Sequence, residues 1–178
     1  MRDHVSLVLS DDLVAGILEL RDSLVEGVSR IDDQLLHHPH ITVASIDNHY
    51  DGTILSSVEQ FASNQDAIPL DFSVVSVFVR RGFVLSPKPS LELLELHSNL
   101  QHAIDMDNHI PEFLRPGNWV PHVTLVSPYT EKDHDFILRC LADIFQPISG
   151  FAVGLYVDHH EAEGEYGEDV RRFPFRDA

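Results

Sequence analysis

The chain switches between two hydrophobic periods, and the order of the switches predicts its elements. Val5, Leu7 and Leu9 alternate with Ser6 and Val8, the period of an opening strand. Leu13, Ile17, Leu20, Leu24 and Val28 then recur at helical spacing behind Asp11 and Asp12, residues suited to cap a helix. A strand over residues 40–46 follows, then a helix over about 51–64 carrying Ile54, Val58 and Phe61, and a strand over about 69–79. Arg80-Arg81-Gly82 predicts a hairpin turn into Phe83-Val84-Leu85.

From there the order begins again. A helix is expected over 90–104, a loop through Pro111 and Pro116-Gly117, and a strand over 119–126. Thr130 and Asp133 have the spacing of a capping box at the head of a helix running to about 145, and a strand over 148–157 comes next. Asp11 matches Ser90, Asp51 matches Glu131 and Pro69 matches Pro147, at offsets of 79, 80 and 78 residues. A strand-helix-strand-helix-strand unit is therefore duplicated, and helices would cover the aliphatic faces of its strands. The acidic, glycine-containing stretch 161–168 reads as a loop, and residues 170–175 as a final edge strand.

Composition sets the class. With 178 residues, 43% of them hydrophobic, the chain suits one globular domain, its first lobe spanning about 1–80 and its second about 81–160. No apolar run reaches the 18 or so residues of a membrane span and no targeting segment is evident, so a soluble, cytoplasmic protein without a membrane partner is expected. Cys140, the single cysteine, sits among Phe136, Ile137, Leu141 and Ile144 and reads as a buried, inert thiol. A net charge of −17 with only two lysines opposes binding of long duplex nucleic acid, but leaves small phosphorylated substrates open.

One string carries chemistry. Pro39-His40-Ile41-Thr42-Val43 returns 82 residues later as Pro121-His122-Val123-Thr124-Leu125. Only four threonines exist in the chain, so the paired His-x-Thr is not a product of abundance, whereas His4-Val5-Ser6 lacks the proline and is incidental. Residues two apart on a strand share a face, so each segment turns an imidazole and a hydroxyl one way and its aliphatics the other. Two imidazoles across a groove supply a general base and a general acid, while two hydroxyls supply donors to developing charge. A phosphodiester, above all a 2′,3′-cyclic phosphate, uses all four groups and needs no metal or other cofactor.

These residues resemble the 2H phosphoesterases, named for two His-x-Thr/Ser motifs, and within them the 2′-5′ RNA ligase-like branch, also described as RNA 2′,3′-cyclic phosphodiesterases. The resemblance covers motif spacing, element order and the ending Arg172-Phe173-Pro174-Phe175. It implies an α+β, bilobal fold in which two antiparallel sheets line a central cleft with helices outside. It also implies His40 and His122 as the catalytic pair, His122 more often the base, with Thr42 and Thr124 binding phosphate. The expected ligand is a small nucleotide or an RNA terminal phosphate.

Weaker features surround this site. Trp119 is placed either to stack on a base at the cleft mouth or to fill its lip. Arg115, on the loop before the second motif, would bind substrate, and Arg80, Arg81 and Arg172 are further sources of positive charge. His38-x-His40 and Asp158-His159-His160-Glu161 offer metal-ligand types, but Thr42 stands where a third histidine ligand would be needed. The competing readings are a groove that binds nucleotides without turnover and a metal-dependent hydrolase. Oligomeric state is not specified.

Overall fold

The computed structural model describes residues 2–25, 38–47, 53–78, 82–104, 110–127, 130–160 and 170–176. The first repeat consists of β1 (Arg2–Leu9), α1 (Asp11–Val25), β2 (His40–Asp47), α2 (Thr53–Ser63) and β3 (Ile68–Phe78). The second consists of β4 (Gly82–Pro87), α3 (Leu91–Ile104), β5 (Val123–Val126), α4 (Glu131–Ile144) and β6 (Ile148–His160), and β7 (Arg171–Pro174) ends the chain. The duplicated element order is thus as expected. Val28, Asp51, Arg80, Arg81 and the 161–168 stretch lie outside the described residues.

The α+β class is as anticipated, but hydrogen bonding joins the strands into one seven-stranded sheet rather than two. The cause is the length of β6, which at 13 residues is long enough to pair with three strands. β1 runs along one edge of β6, while β3 takes Ile148–Ala152 and β7 takes Gly154–Val157 on the other, every pairing antiparallel. The order β2-β1-β6-β3-β4-β5 reads the same from either end once the repeats are exchanged. A pseudo-twofold axis therefore passes between β3 and β6. The third strand of each repeat pairs with the first strand of the other, so the sheet is shared across the two sequence halves.

Alternation along the strands builds the core. Val5, Leu7, Leu9, Ile41, Val43, Phe83, Leu85, Val123, Leu125, Leu155 and Val157 are buried together with Leu13, Ile17, Leu93, Leu96 and Ile137 from the helices. Each such side chain removed from water stabilises the fold by roughly 1.5–3 kcal/mol before entropy is charged against it. Cys140 is half-buried and packs against this core.

The ends of the helices show how local chemistry sets the boundaries. Ser90 Oγ accepts the Leu93 N–H at 3.1 Å and so caps α3. Asp133 accepts the Thr130 N–H at 3.0 Å, as the capping-box spacing required. Asp11 and Asp12 lie in the first turn of α1 rather than at its cap, where their carboxylates complement the positive end of the helix dipole. The strand expected over 119–126 begins only at Val123. Trp119 N–H is turned back onto the Arg115 carbonyl at 3.1 Å, and Pro121 has no N–H to give a ladder. Among the described residues no helix is long and apolar enough to cross a membrane.

Gly154 is where β7 docks. A Cβ there would stand 2.7 Å from the Phe173 carbonyl oxygen and 3.2 Å from Pro174 Cα. Gly154→Ala is expected to push β7 away from β6 and cost about 1–3 kcal/mol in urea unfolding, the range for overpacking; wild-type stability in that variant would show that the close approach is not needed.

Candidate functional site

β2 and β5, the strands that carry the two motifs, are the two ends of the sheet, yet they lie in contact with one another. Each lacks a strand on one side, and backbone polar groups at such an edge need other partners. Side chains from the opposite repeat supply them. Arg21 on α1 donates from Nε (3.1 Å) and Nη2 (2.5 Å) to the Thr124 carbonyl. Trp119 Nε1 donates to the Thr42 carbonyl at 2.9 Å, and Gln101 Nε2 on α3 to the Val43 carbonyl at 3.0 Å. The motif segments are thus held against each other by ties running in both directions.

Pairing places the motif side chains on one face. His40 opens β2 opposite Val8, and Thr42 stands opposite Ser6, which in turn faces Tyr156 on β6. In the other half Thr124 pairs with Val84, which pairs with Ser76 on β3, and His122 directly precedes β5. Both threonines and both histidines are half-buried.

The imidazoles are fixed in the same way. His40 Nδ1 lies 3.1 Å from the His38 carbonyl and His122 Nδ1 lies 2.7 Å from the Val120 carbonyl, in each case two residues back. A carbonyl only accepts, so Nδ1 carries the proton and the neutral ring keeps its lone pair on Nε2. His40 meets Tyr156 edge-on with centroids 5.9 Å apart, and His122 meets Phe78 edge-on at 4.7 Å.

Burial lowers both imidazole pKa values below the usual range, opposed in each by the bond to the backbone carbonyl. At His40 the Asp158 carboxylate also opposes the shift, while the charges of Arg21 and His122 add to it. The two histidines are therefore within electrostatic reach, and a carboxylate acts on His40 that has no counterpart in the shift at His122.

Of the weaker candidates, Trp119 is only 8% exposed. Its ring stacks on His97 with centroids 4.0 Å apart and planes within 6°, so it fills the lip and positions Thr42 instead of offering a face to a base. His97 is pushed down to about 4 by burial and stays neutral, with Nε2 2.8 Å from the Leu114 carbonyl that also accepts from Gln101. Arg115 is exposed and braces its loop through Nε to the Ile110 carbonyl at 3.2 Å. Arg172 is exposed on β7 opposite Tyr156, and its charge reaches His38. Among the described residues no three His, Cys, Asp or Glu side chains converge to hold a metal, and the side chains of His159 and His160 lie outside the described ones.

Arg21 and Tyr156 were not singled out by sequence reasoning, and Asp158 was considered only as a metal-ligand type, not as a carboxylate acting on His40. Arg21 lies four residues after Ile17 on the apolar stripe of α1, so a charge on a buried face was its signal. Tyr156 and Asp158 alternate with Leu155 and Val157, which placed them on the face opposite the aliphatics.

Known proteins match this architecture. TT0787 of Thermus thermophilus is 14% identical with a TM-score of 0.66, covering 99% of this chain and 98% of that one. E. coli LigT complexed with 3′-AMP is 18% identical with a TM-score of 0.60 over 98% and 95% of the two chains. Kluyveromyces marxianus Usb1 is 12% identical with a TM-score of 0.51 over 98% of each. At these identities the likeness is one of fold. No curated protein sequence matches the chain. The family model described as the 2′-5′ RNA ligase superfamily matches residues 9–154. That match runs from the end of β1 into β6 and takes in both Pro-His-x-Thr segments, so the chain belongs to the 2′-5′ RNA ligase superfamily.

Proposed function

We propose that the chain is a metal-independent phosphodiesterase that opens 2′,3′-cyclic phosphates or acts on 2′-5′ linkages of nucleotides or RNA ends. The observation that carries this reading is the matched pair of Nδ1-to-carbonyl bonds, which leaves each ring one free nitrogen for proton transfer. Complexes of E. coli LigT with 3′-AMP, NADP+ and ATP support a small nucleotide as the ligand.

His122 Nε2 takes a proton from water as the water oxygen attacks phosphorus. The bond from phosphorus to the ribose oxygen breaks, and protonated His40 gives its Nε2 proton to that departing oxygen, leaving a phosphomonoester and a free hydroxyl. Asp158 favours the protonated form of His40, which supports this division of roles. Thr42 and Thr124 hydroxyls donate to the non-bridging oxygens as charge builds on them. Base, acid and oxyanion donors all come from side chains, so the step needs no metal ion.

His40→Ala or His122→Ala should lower turnover of a 2′,3′-cyclic nucleotide by about 10²–10⁴-fold in the presence of chelator, with the fold retained. Unchanged turnover would sink the assignment, and tight binding without product in the wild type would favour a non-catalytic nucleotide site.

The pH profile follows from the two lowered pKa values. The base must be neutral, so activity falls as pH drops below its pKa; the acid must be protonated, so activity falls as pH rises above its own. Both lie below the usual 6.5 in the free protein, so the bell of kcat/KM should peak on the acid side of 6.5. A bound anionic phosphate raises both, and the kcat profile should lie at higher pH. Profiles peaking together above 7 would contradict this.

A further inference from the structure

The pseudo-twofold axis provides an internal comparison for one buried hydroxyl. Thr42 pairs with Ser6 and Ser6 with Tyr156, just as Thr124 pairs with Val84 and Val84 with Ser76. Ser6 and Val84 are therefore equivalent, each the middle residue of a row across the motif face, and each is only 1% exposed. An apolar side chain meets the packing need at this place, as Val84 shows. Ser6 instead carries a fully buried oxygen with no hydrogen-bond partner. Native folds avoid that condition, because the hydroxyl gives up water and gains nothing in exchange. On the Val84 side the nearby hydroxyls, those of Ser76 and Ser86, bond to each other at 2.9 Å. The fold gives the Ser6 oxygen no partner of that kind.

We infer that Ser6 is a positioning residue for phosphate binding: its hydroxyl donates to Thr42 Oγ1 when Thr42 turns its own proton to a phosphate oxygen. This rests on the proposed phosphodiesterase reading, in which Thr42 binds phosphate, and names a residue that the motifs do not contain. Directly opposed side chains on antiparallel strands have Cβ atoms roughly 4.5–5.5 Å apart. Serine and threonine both carry their hydroxyl on Cβ, so the oxygens of this pair stand at one height above the sheet. Tyr156, the other neighbour of Ser6, carries its oxygen at the far end of a ring that meets His40 edge-on. A hydroxyl has one proton and two acceptor sites, so Thr42 can give its proton outward to phosphate and accept one from Ser6 behind it. Each bond in such a chain strengthens the other. Thr124 has Val84 behind it, and Val84 has no proton to give. The grip on phosphate is thus tighter on the side of His40, the proposed acid, than on the side of His122.

Ser6→Ala and Ser6→Thr, each made in the wild type and in Thr42→Val, test the inference through affinity for inorganic phosphate, which needs no turnover, and through kcat/KM for a 2′,3′-cyclic nucleotide. Ser6→Ala should weaken phosphate binding and lower kcat/KM by about threefold to tenfold, as expected for loss of one neutral hydrogen bond. Its urea midpoint should stay at or above the wild-type value, because an unsatisfied oxygen has been removed. Ser6→Thr keeps the hydroxyl in the shape that Val84 shows to fit, and should bind phosphate within about twofold of wild type. In Thr42→Val there is no hydroxyl to support, so adding Ser6→Ala should change neither quantity by more than about twofold. Wild-type phosphate affinity in Ser6→Ala, or equal losses in the two backgrounds, would overturn the inference, and a lower urea midpoint with affinity retained would make Ser6 a residue of the fold alone. Should Thr42→Val or Ser6→Thr not fold, wild-type affinity in Ser6→Ala by itself overturns the inference. A protein that shows these affinity differences but turns over no phosphodiester would contradict the proposed function and leave the role of Ser6 standing. Turnover lost in His122→Ala but kept in Ser6→Ala would do the reverse.

Discussion

The site depends on how two sheet edges are satisfied. Strands at the ends of a sheet present backbone groups that water or another chain would otherwise take. Here β2 and β5 are those strands, and Arg21, Trp119 and Gln101 reach across to their carbonyls from the opposite repeat. The same bonds that satisfy the edges bring the two histidines within reach of each other. Fold and site are therefore held by one set of contacts, and Trp119 belongs to both the ties and the hydrophobic core.

Symmetry gives two like half-sites, and departures from symmetry make them different. Ser76 occupies the place of Tyr156, Phe78 that of Asp158, and Trp119 does on one side what Arg21 does on the other. His40 consequently sits beside a carboxylate and an arginine charge, and His122 beside an apolar ring. Identical imidazoles would divide a proton equally; unlike neighbours let one hold it and the other accept it.

Much of this was legible in residue order. Periodicity located the strands and the long helices because each buries one face, and the repeat offsets revealed the duplication before any contact was known. Harder to read was how strands pair. Nothing local in β6 says that it will take β1, β3 and β7, because pairing partners are chosen by packing between distant segments. The same holds for Trp119: its position three residues before His122 suggested the cleft mouth, while its stack on His97 arises from α3 and a loop meeting in space. His40, Thr42, His122 and Thr124 could be proposed because the motif is written twice, whereas Arg21 reaches the Thr124 carbonyl across 103 residues of sequence.

The exchange of third strands between the repeats bears on where such a chain could come from. One repeat by itself leaves its third strand unpaired and its first strand open, unless a second copy fills both gaps. Two unlinked copies would form a symmetric pair with matching histidines, obliged by identity to remain equal. Joining them end to end lifts that obligation: each histidine can then acquire its own neighbours, and a symmetric cleft becomes one with a direction.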